Sequence, residues 1–261
     1  MIEYLKNFYE NYNEGNRLST RHGSVEFLTT VKYVNKYLCA NSRILEIGAG
    51  TGTYSHFFAR QGYEVDAVEL MKCNIDKFNE LTLPTEKITI AKGNAVNLHN
   101  IKDNTYDITL LLGPMYHLYD EKSKKAALNE AIRVTKNNGI IFVAYCLNEA
   151  QIIKACFMRG LIKEKRYRDY IDTTTYKLTA NPENVFELYR KEEIDHLISD
   201  LNVERLHYIG TDMATSYMKD CVDAMDEDTF KKYMDYHFIL CERADCIGVS
   251  HHSLDVLRKT K

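Results

Sequence analysis

Between residues 43 and 144, short apolar runs alternate with stretches of helical periodicity, and turn residues separate them. Arg43–Ile47 reads as a strand, 54–61 as a helix stopped by Gly62, and 64–70 as a second strand. A helix over 74–81 is closed off by Pro84, and 88–91 is a third strand. The unbroken apolar run 107–112 suits a strand buried on both faces. An amphipathic helix over 121–135, a turn at Asn137-Asn138-Gly139 and a fifth strand over 140–144 complete the series. Such alternation predicts an α/β fold: a parallel sheet with right-handed crossovers and helices on both faces.

The rhythm changes outside this stretch. Residues 1–40 read as helical, with Val25, Leu28, Val31, Val34 and Leu38 near one face, and form an expected N-terminal lid. After residue 145 the pattern gives a helix over 191–201, a strand over 203–209 and a last strand at 254–257, expected at the edge of the sheet. The stretches at about 150–190 and 212–245 read as helical insertions that cap the substrate side of a domain spanning 41–261. Their tyrosines, with apolar bodies and polar tips, suit an aromatic or amphipathic acceptor; packing or a homodimer contact would use them equally well.

With 34 basic and 37 acidic residues, the chain lacks the cationic excess of a broad nucleic-acid surface. Its seven cysteines form no CxxC pair, which suits reduced thiols in the cytoplasm. No apolar run approaches the ~18–20 residues that span a bilayer, and the first residues lack a secretory apolar core.

The chemistry concentrates in Glu46-Ile47-Gly48-Ala49-Gly50-Thr51-Gly52, directly after one strand and before a helix. Without Cβ atoms the turn can take positive φ and admit a ligand against the backbone. Glu46 lies within the strand, where a carboxylate repels a pyrophosphate but suits an ammonium group. Glu69 ends the second strand, where an acid accepts from ribose hydroxyls. Two acids and three glycines therefore suit an adenosine that carries a positively charged amino-acid tail.

The stretch 46–52 resembles motif I of the class I S-adenosylmethionine-dependent methyltransferases. Residues 63–70 resemble the second strand with its ribose-binding acid, and Gly93-Asn94-Ala95 the turn after the third strand. Residues 107–118 resemble the fourth strand and its active-site loop. The likeness covers about 40–147 and points to the ubiquinone/menaquinone-methyltransferase-like, small-molecule branch. It implies a Rossmann-like sheet with an antiparallel C-terminal edge strand. It also implies S-adenosylmethionine as cofactor and S-adenosylhomocysteine as product. The cofactor contacts it implies are Glu46, Gly48, Ala49, Gly50, Gly52, Glu69, Leu70, Asn94, Ala95, Leu112 and Gly113. Asn94 replaces the usual aspartate; its amide can still accept from, and donate to, an adenine edge.

Methyl transfer is then an in-line displacement in which positioning supplies much of the rate. The loop Gly113-Pro114-Met115-Tyr116-His117 offers Tyr116 as a wall of the methyl pocket and His117 as a base, or as a helix cap. Tyr9, Tyr12, Arg17 and His22 are candidate lid contacts, and Arg17 or Arg21 could pair with a carboxylate; Ser24 would alternatively cap an ordinary helix. His251-His252 has no cysteine or acid at ligand spacing in the sequence and reads as non-metal. Lys163, Lys165, Arg166 and Arg168 read as a solvated face or as a reception for an anionic substrate. The acceptor expected is a small molecule. The alternatives are RNA or protein methylation and a non-catalytic cofactor-binding paralogue.

Overall fold

In a computed structural model, which describes residues 2–11, 18–180 and 185–261, the expected strand segments fall into one sheet. Among the described residues it has seven strands: β1 Arg43–Ile47, β2 Glu64–Glu69, β3 Ile88–Lys92, β4 Tyr106–Leu111, β5 Thr135–Cys146, β6 Val203–Gly210 and β7 His252–Lys259. Their order is β3-β2-β1-β4-β5-β7-β6. The first five run parallel, with Leu45 opposite Asp66 on one side and Thr109 on the other. The C-terminal strand is antiparallel, as expected, but it sits one place in from the edge. It pairs along its length with β5 and with β6, which takes the outermost place.

Side chains alternate across the sheet and so build two cores. Ile44, Ile108, Leu110 and Phe142 meet Val34 of α2 (Arg21–Asn35) and Phe58 of α3 (Thr53–Arg60). Leu45, Ile47, Leu111 and Val143 meet Leu128 and Val134 of α5 (Glu121–Val134) and Ile194 of α8 (Lys191–Ile198). Helix α4 (Lys72–Leu81) drives Phe78 against Ala49 and Ala67. Burying a side chain of this size contributes about 1.5–3 kcal/mol, so the apolar runs that defined the strands also fix their faces.

Residues 1–40 divide into α1 (Ile2–Asn11) and α2. Thr20, not Ser24, caps α2 by accepting from the Gly23 N–H. After β5 the chain makes α6 (Asn148–Gln151), a seven-residue π-helix over Ile152–Met158 and α7 (Lys165–Arg168). These pack as a separate apolar cluster around Cys156, Tyr167 and Leu178. The second insertion is broken into Met213–Tyr217, α9 (Lys219–Asp223), α10 (Glu227–Leu240) and α11 (Ala244–Ile247). Its Val222 and Met234 pack on Val25 of α2. No helix among the described residues is long and apolar enough to cross a membrane.

Candidate functional site

Strands β1 and β4 are neighbours in the sheet although β2 and β3 intervene in sequence. The chain leaves their C-terminal ends in opposite directions, and a crevice opens there. Ten of the eleven expected cofactor residues line it: Glu46, Gly48, Ala49, Gly50, Glu69, Leu70, Asn94, Ala95, Leu112 and Gly113. Gly52 does not. A Cβ there would lie 2.5 Å from the Phe78 ring and 2.8 Å from His56, so its bare backbone serves helix packing. Gly48 lines the crevice, yet its absent side chain makes room for Pro114, 2.7 Å from an ideal Cβ. The backbone left for a ligand is therefore centred on Ala49-Gly50-Thr51, with Gly50 at φ +55°.

Both acids belong to this crevice. Glu69 accepts from the backbone N–H of Gly50 and of Met71, each at 2.8 Å, which fixes its carboxylate beneath the turn. Glu46 is buried, and its partner is the Ser55 hydroxyl. Burial pushes the Glu46 carboxyl up to about 8, against the opposing effect of Ser55, because a charge out of water is penalised. Asn94 turns its side-chain oxygen back to the Val96 N–H at 3.2 Å and keeps its amide hydrogens for a ring nitrogen. Two carboxylates flanking a bare turn fit an adenosyl group with an ammonium-bearing tail: Glu46 would hold the ammonium and Glu69 the ribose hydroxyls. Val68, Met71, Asn74, Thr51 and Leu118 also line the crevice. Thr51 lies inside the glycine motif; the other four were missed because apolar and amide side chains carry no signal of their own.

The β4 loop is held by hydrogen bonds that change the meaning of its polar residues. Tyr116 donates to the Leu112 carbonyl at 2.8 Å and stands as a wall. His117 Nδ1 lies 3.0 Å from the Val185 carbonyl, which can only accept, so Nδ1 carries the proton. Nε2 then accepts from the Tyr9 hydroxyl at 2.8 Å. Burial lowers the His117 imidazole to about 4. With both nitrogens engaged, His117 is placed to hold Tyr9 over the crevice and is poorly placed to take a proton.

A second cavity of about 530 Å³ adjoins the first, and Tyr9 and Tyr116 line both. Its walls come from both insertions, through Tyr167, Leu178 and Phe186 on one side and Thr215, Ser216 and Lys219 on the other. His22 lines this cavity and not the crevice; its Nδ1 is 2.7 Å from Asp223. Arg21 is spent on Glu227, at 3.4 Å, and on the Phe230 ring. Tyr12 and Arg17 lie outside the described residues. All four residues of the basic run are exposed, and of them Arg166 lines the cavity wall.

The pairing of β6 with β7 supplies what the sequence pattern lacked. Asp212, just past β6, meets His251 and His252, and a ligand atom from each lies within 4.8 Å of the others. The carboxylate is already well provided for. Its Oδ1 accepts from Ser250 Oγ at 2.8 Å and from the backbone N–H of His251 and His252 at 2.8 and 3.1 Å. Its Oδ2 takes His252 Nδ1 at 3.0 Å, and Glu26 lies 3.2 Å from that same nitrogen. Burial alone would raise Asp212, but His252 and these donors outweigh it and hold the acid well below its usual range. Burial opposes the charge on His252, yet Glu26, Cys146 and Asp212 hold its pKa well above the ordinary value.

The comparisons with known proteins agree with this geometry. Residues 44–139 match a family model described as a methyltransferase domain. An uncharacterised methyltransferase of Schizosaccharomyces pombe is 34% identical over 138 residues, 49% of this chain and 47% of the relative. A ubiquinone biosynthesis O-methyltransferase of Rickettsia bellii is 26% identical over 157 residues, 58% of this chain and 61% of the relative. The chain thus spans about half to three-fifths of these relatives' lengths. The solved CcbJ methyltransferase of Streptomyces caelestis shares the fold at a TM-score of 0.61 and 15% identity, covering 98% of this chain and 96% of that one. The matched domain, the strand order and the crevice at the β1/β4 switch are together similar to those of the class I S-adenosylmethionine-dependent methyltransferases.

Proposed function

We propose that this protein transfers the methyl group of S-adenosylmethionine to a small-molecule acceptor held in the second cavity. The observation that carries the reading is the junction of the two cavities at Tyr9 and Tyr116. A cofactor in the crevice would supply an activated methyl group, and the acceptor chamber begins where the crevice ends. The chain's own part is positional. Glu46 and Glu69 fix the cofactor, Tyr116 walls the junction, and His117 keeps Tyr9 across it, so that water is excluded and the reacting groups are aligned. The volume lies within the ~300–1,000 Å³ typical of small-molecule sites, which favours such an acceptor over RNA or a protein chain. The small-molecule role named for the rickettsial relative supports the same choice. Seven unpaired cysteines suit a cytoplasmic setting.

Calorimetry with S-adenosylmethionine, S-adenosylhomocysteine and NAD tests the cofactor assignment. Saturable binding of the first two and none of NAD is expected. Binding of NAD without binding of the sulfonium would refute it.

A further inference from the structure

The second cavity has two chemically different ends. Phe8, Tyr9, Tyr116 and Phe186 cluster where it meets the crevice, with ring centroids 5.3 Å apart for Phe8–Phe186 and 5.8 Å for Tyr116–Phe186. The other end is built from the π-helix after β5, the segment after β6 and the start of β7. It presents Lys154, Ser216, Lys219 and His251 beside the Asp212–His252 pair.

The charges at this end do not balance within the protein. Asp212 and Glu26 converge on His252, and backbone and hydroxyl donors complete Asp212. That leaves the ammonium groups of Lys154 and Lys219 with no carboxylate at ion-pair distance among the described residues. Lys154 is not a solvated surface lysine. It stands in the π-helix Ile152–Met158 and is largely withdrawn from water, and burial lowers its pKa. π-Helical turns of this kind are frequent at functional sites. Ser216 is 92% buried, and its Oγ has no hydrogen-bond partner among the described residues, although buried polar atoms are normally satisfied. His251 adds an imidazole whose pKa burial and the neighbouring His252, Lys154 and Lys219 hold well below the usual range. In its neutral form it retains an N–H to donate. The same two ammonium groups oppose a divalent cation beside Asp212, so the polar end is organised for the opposite sign.

We infer that the acceptor is an anion: an aromatic or unsaturated body against the Tyr9–Tyr116–Phe186 end, and a carboxylate or phosphate received by Lys154 and Lys219 with Ser216 and His251 as further donors. This rests on the reading of the second cavity as the acceptor chamber and gives that acceptor its chemical class. The partly buried Lys154 ammonium, without a carboxylate partner among the described residues, is unfavourable alone and is stabilised when an anion arrives, and the exposed Lys219 adds a second positive charge. The neutral His251 and the hydroxyl add donors without adding charge, which suits a carboxylate or phosphate oxygen.

The full chain is titrated calorimetrically with phenylacetate, phenyl phosphate and phenylacetamide, each with and without S-adenosylhomocysteine. At least one anion is expected to bind roughly ten- to a hundredfold more tightly than the amide. Whether phenylacetate or phenyl phosphate binds better assigns the anion to a carboxylate or a phosphomonoester. Lys154→Met should remove the advantage and Lys154→Arg should largely keep it, with melting curves confirming that both variants fold. Anions that bind no better than the amide, or not at all, overturn the inference. So does an advantage that survives in a folded Lys154→Met, Lys219→Met double variant. Failure of S-adenosylhomocysteine to bind while the anion preference persists would strike the cofactor reading alone.

Discussion

Glu46 stands in the crevice as a carboxyl group that its own surroundings keep protonated near neutrality. Burial is the cause, and Ser55 only partly offsets it. A cation arriving beside it reverses the balance, because an opposite charge favours the ionised form. Binding of S-adenosylmethionine should therefore expel a proton. Since the free group titrates near 8, release should be close to one proton below about pH 7 and fade above about pH 9. Calorimetry in two buffers of different ionisation heat reads that proton directly. Glu46→Gln should release none and bind roughly tenfold or more weakly. His117 bears on the same profile by its absence. Titrating near 4, with both ring nitrogens engaged, it should contribute no inflection between about pH 6 and 8, where a free histidine would.

Glycines in one short turn divide their work at the level of the strand–turn–helix element. Gly50 opens the ligand surface, while Gly52, at φ +88°, lets α3 and α4 approach through Phe78. Gly52→Ala adds a methyl group at 2.5 Å from that ring in a conformation an alanine resists. It should cost about 1–3 kcal/mol or more, read as a fall in melting temperature, with little change in cofactor affinity in the fraction that remains folded. From the sequence these glycines look alike; the difference depends on α4, whose packing no local pattern encodes. The strands themselves were legible because parallel strands buried on both faces leave unbroken apolar runs, as at Ile108–Leu111. Helix ends were less so. Thr20 and Ser24 are both good caps by chemistry, and the helix start selected Thr20. The helical insertion expected at about 212–245 breaks where Met213 takes φ +42° and where Asp226 caps a new helix.

At the scale of the whole molecule, β7 lies between β5 and β6, and much of the second cavity depends on that insertion. Gly210 pairs with Ser253, which carries Asp212 to His251 and His252. Residues some 40 positions apart meet through strand pairing, a relation invisible to motif spacing. For this reason the crevice, lined by turns that directly follow β1, β2, β3 and β4, was legible in the sequence, and Lys154, Asp212 and Ser216 were not. The same insertion buries Asp255 completely, and burial raises its carboxyl against the counteracting guanidinium of Arg205 on β6. Arg205→Met should strand that carboxylate at a cost of about 3–5 kcal/mol near neutral pH. A raised carboxyl in the folded state contributes stability below the unfolded value of 3.8 and loses it as pH rises. The deficit of the variant in chemical denaturation should therefore shrink toward pH 4.

Tyr9 carries a consequence of a different kind. A single aromatic side chain on α1 touches two chambers at once, and a hydrogen bond to His117 helps to latch it. Whatever steadies that latch from one side steadies it for the other. Occupancy on either side then changes the dissociation constant of the opposite guest by a common factor, a thermodynamic reciprocity that holds whichever guest enters first.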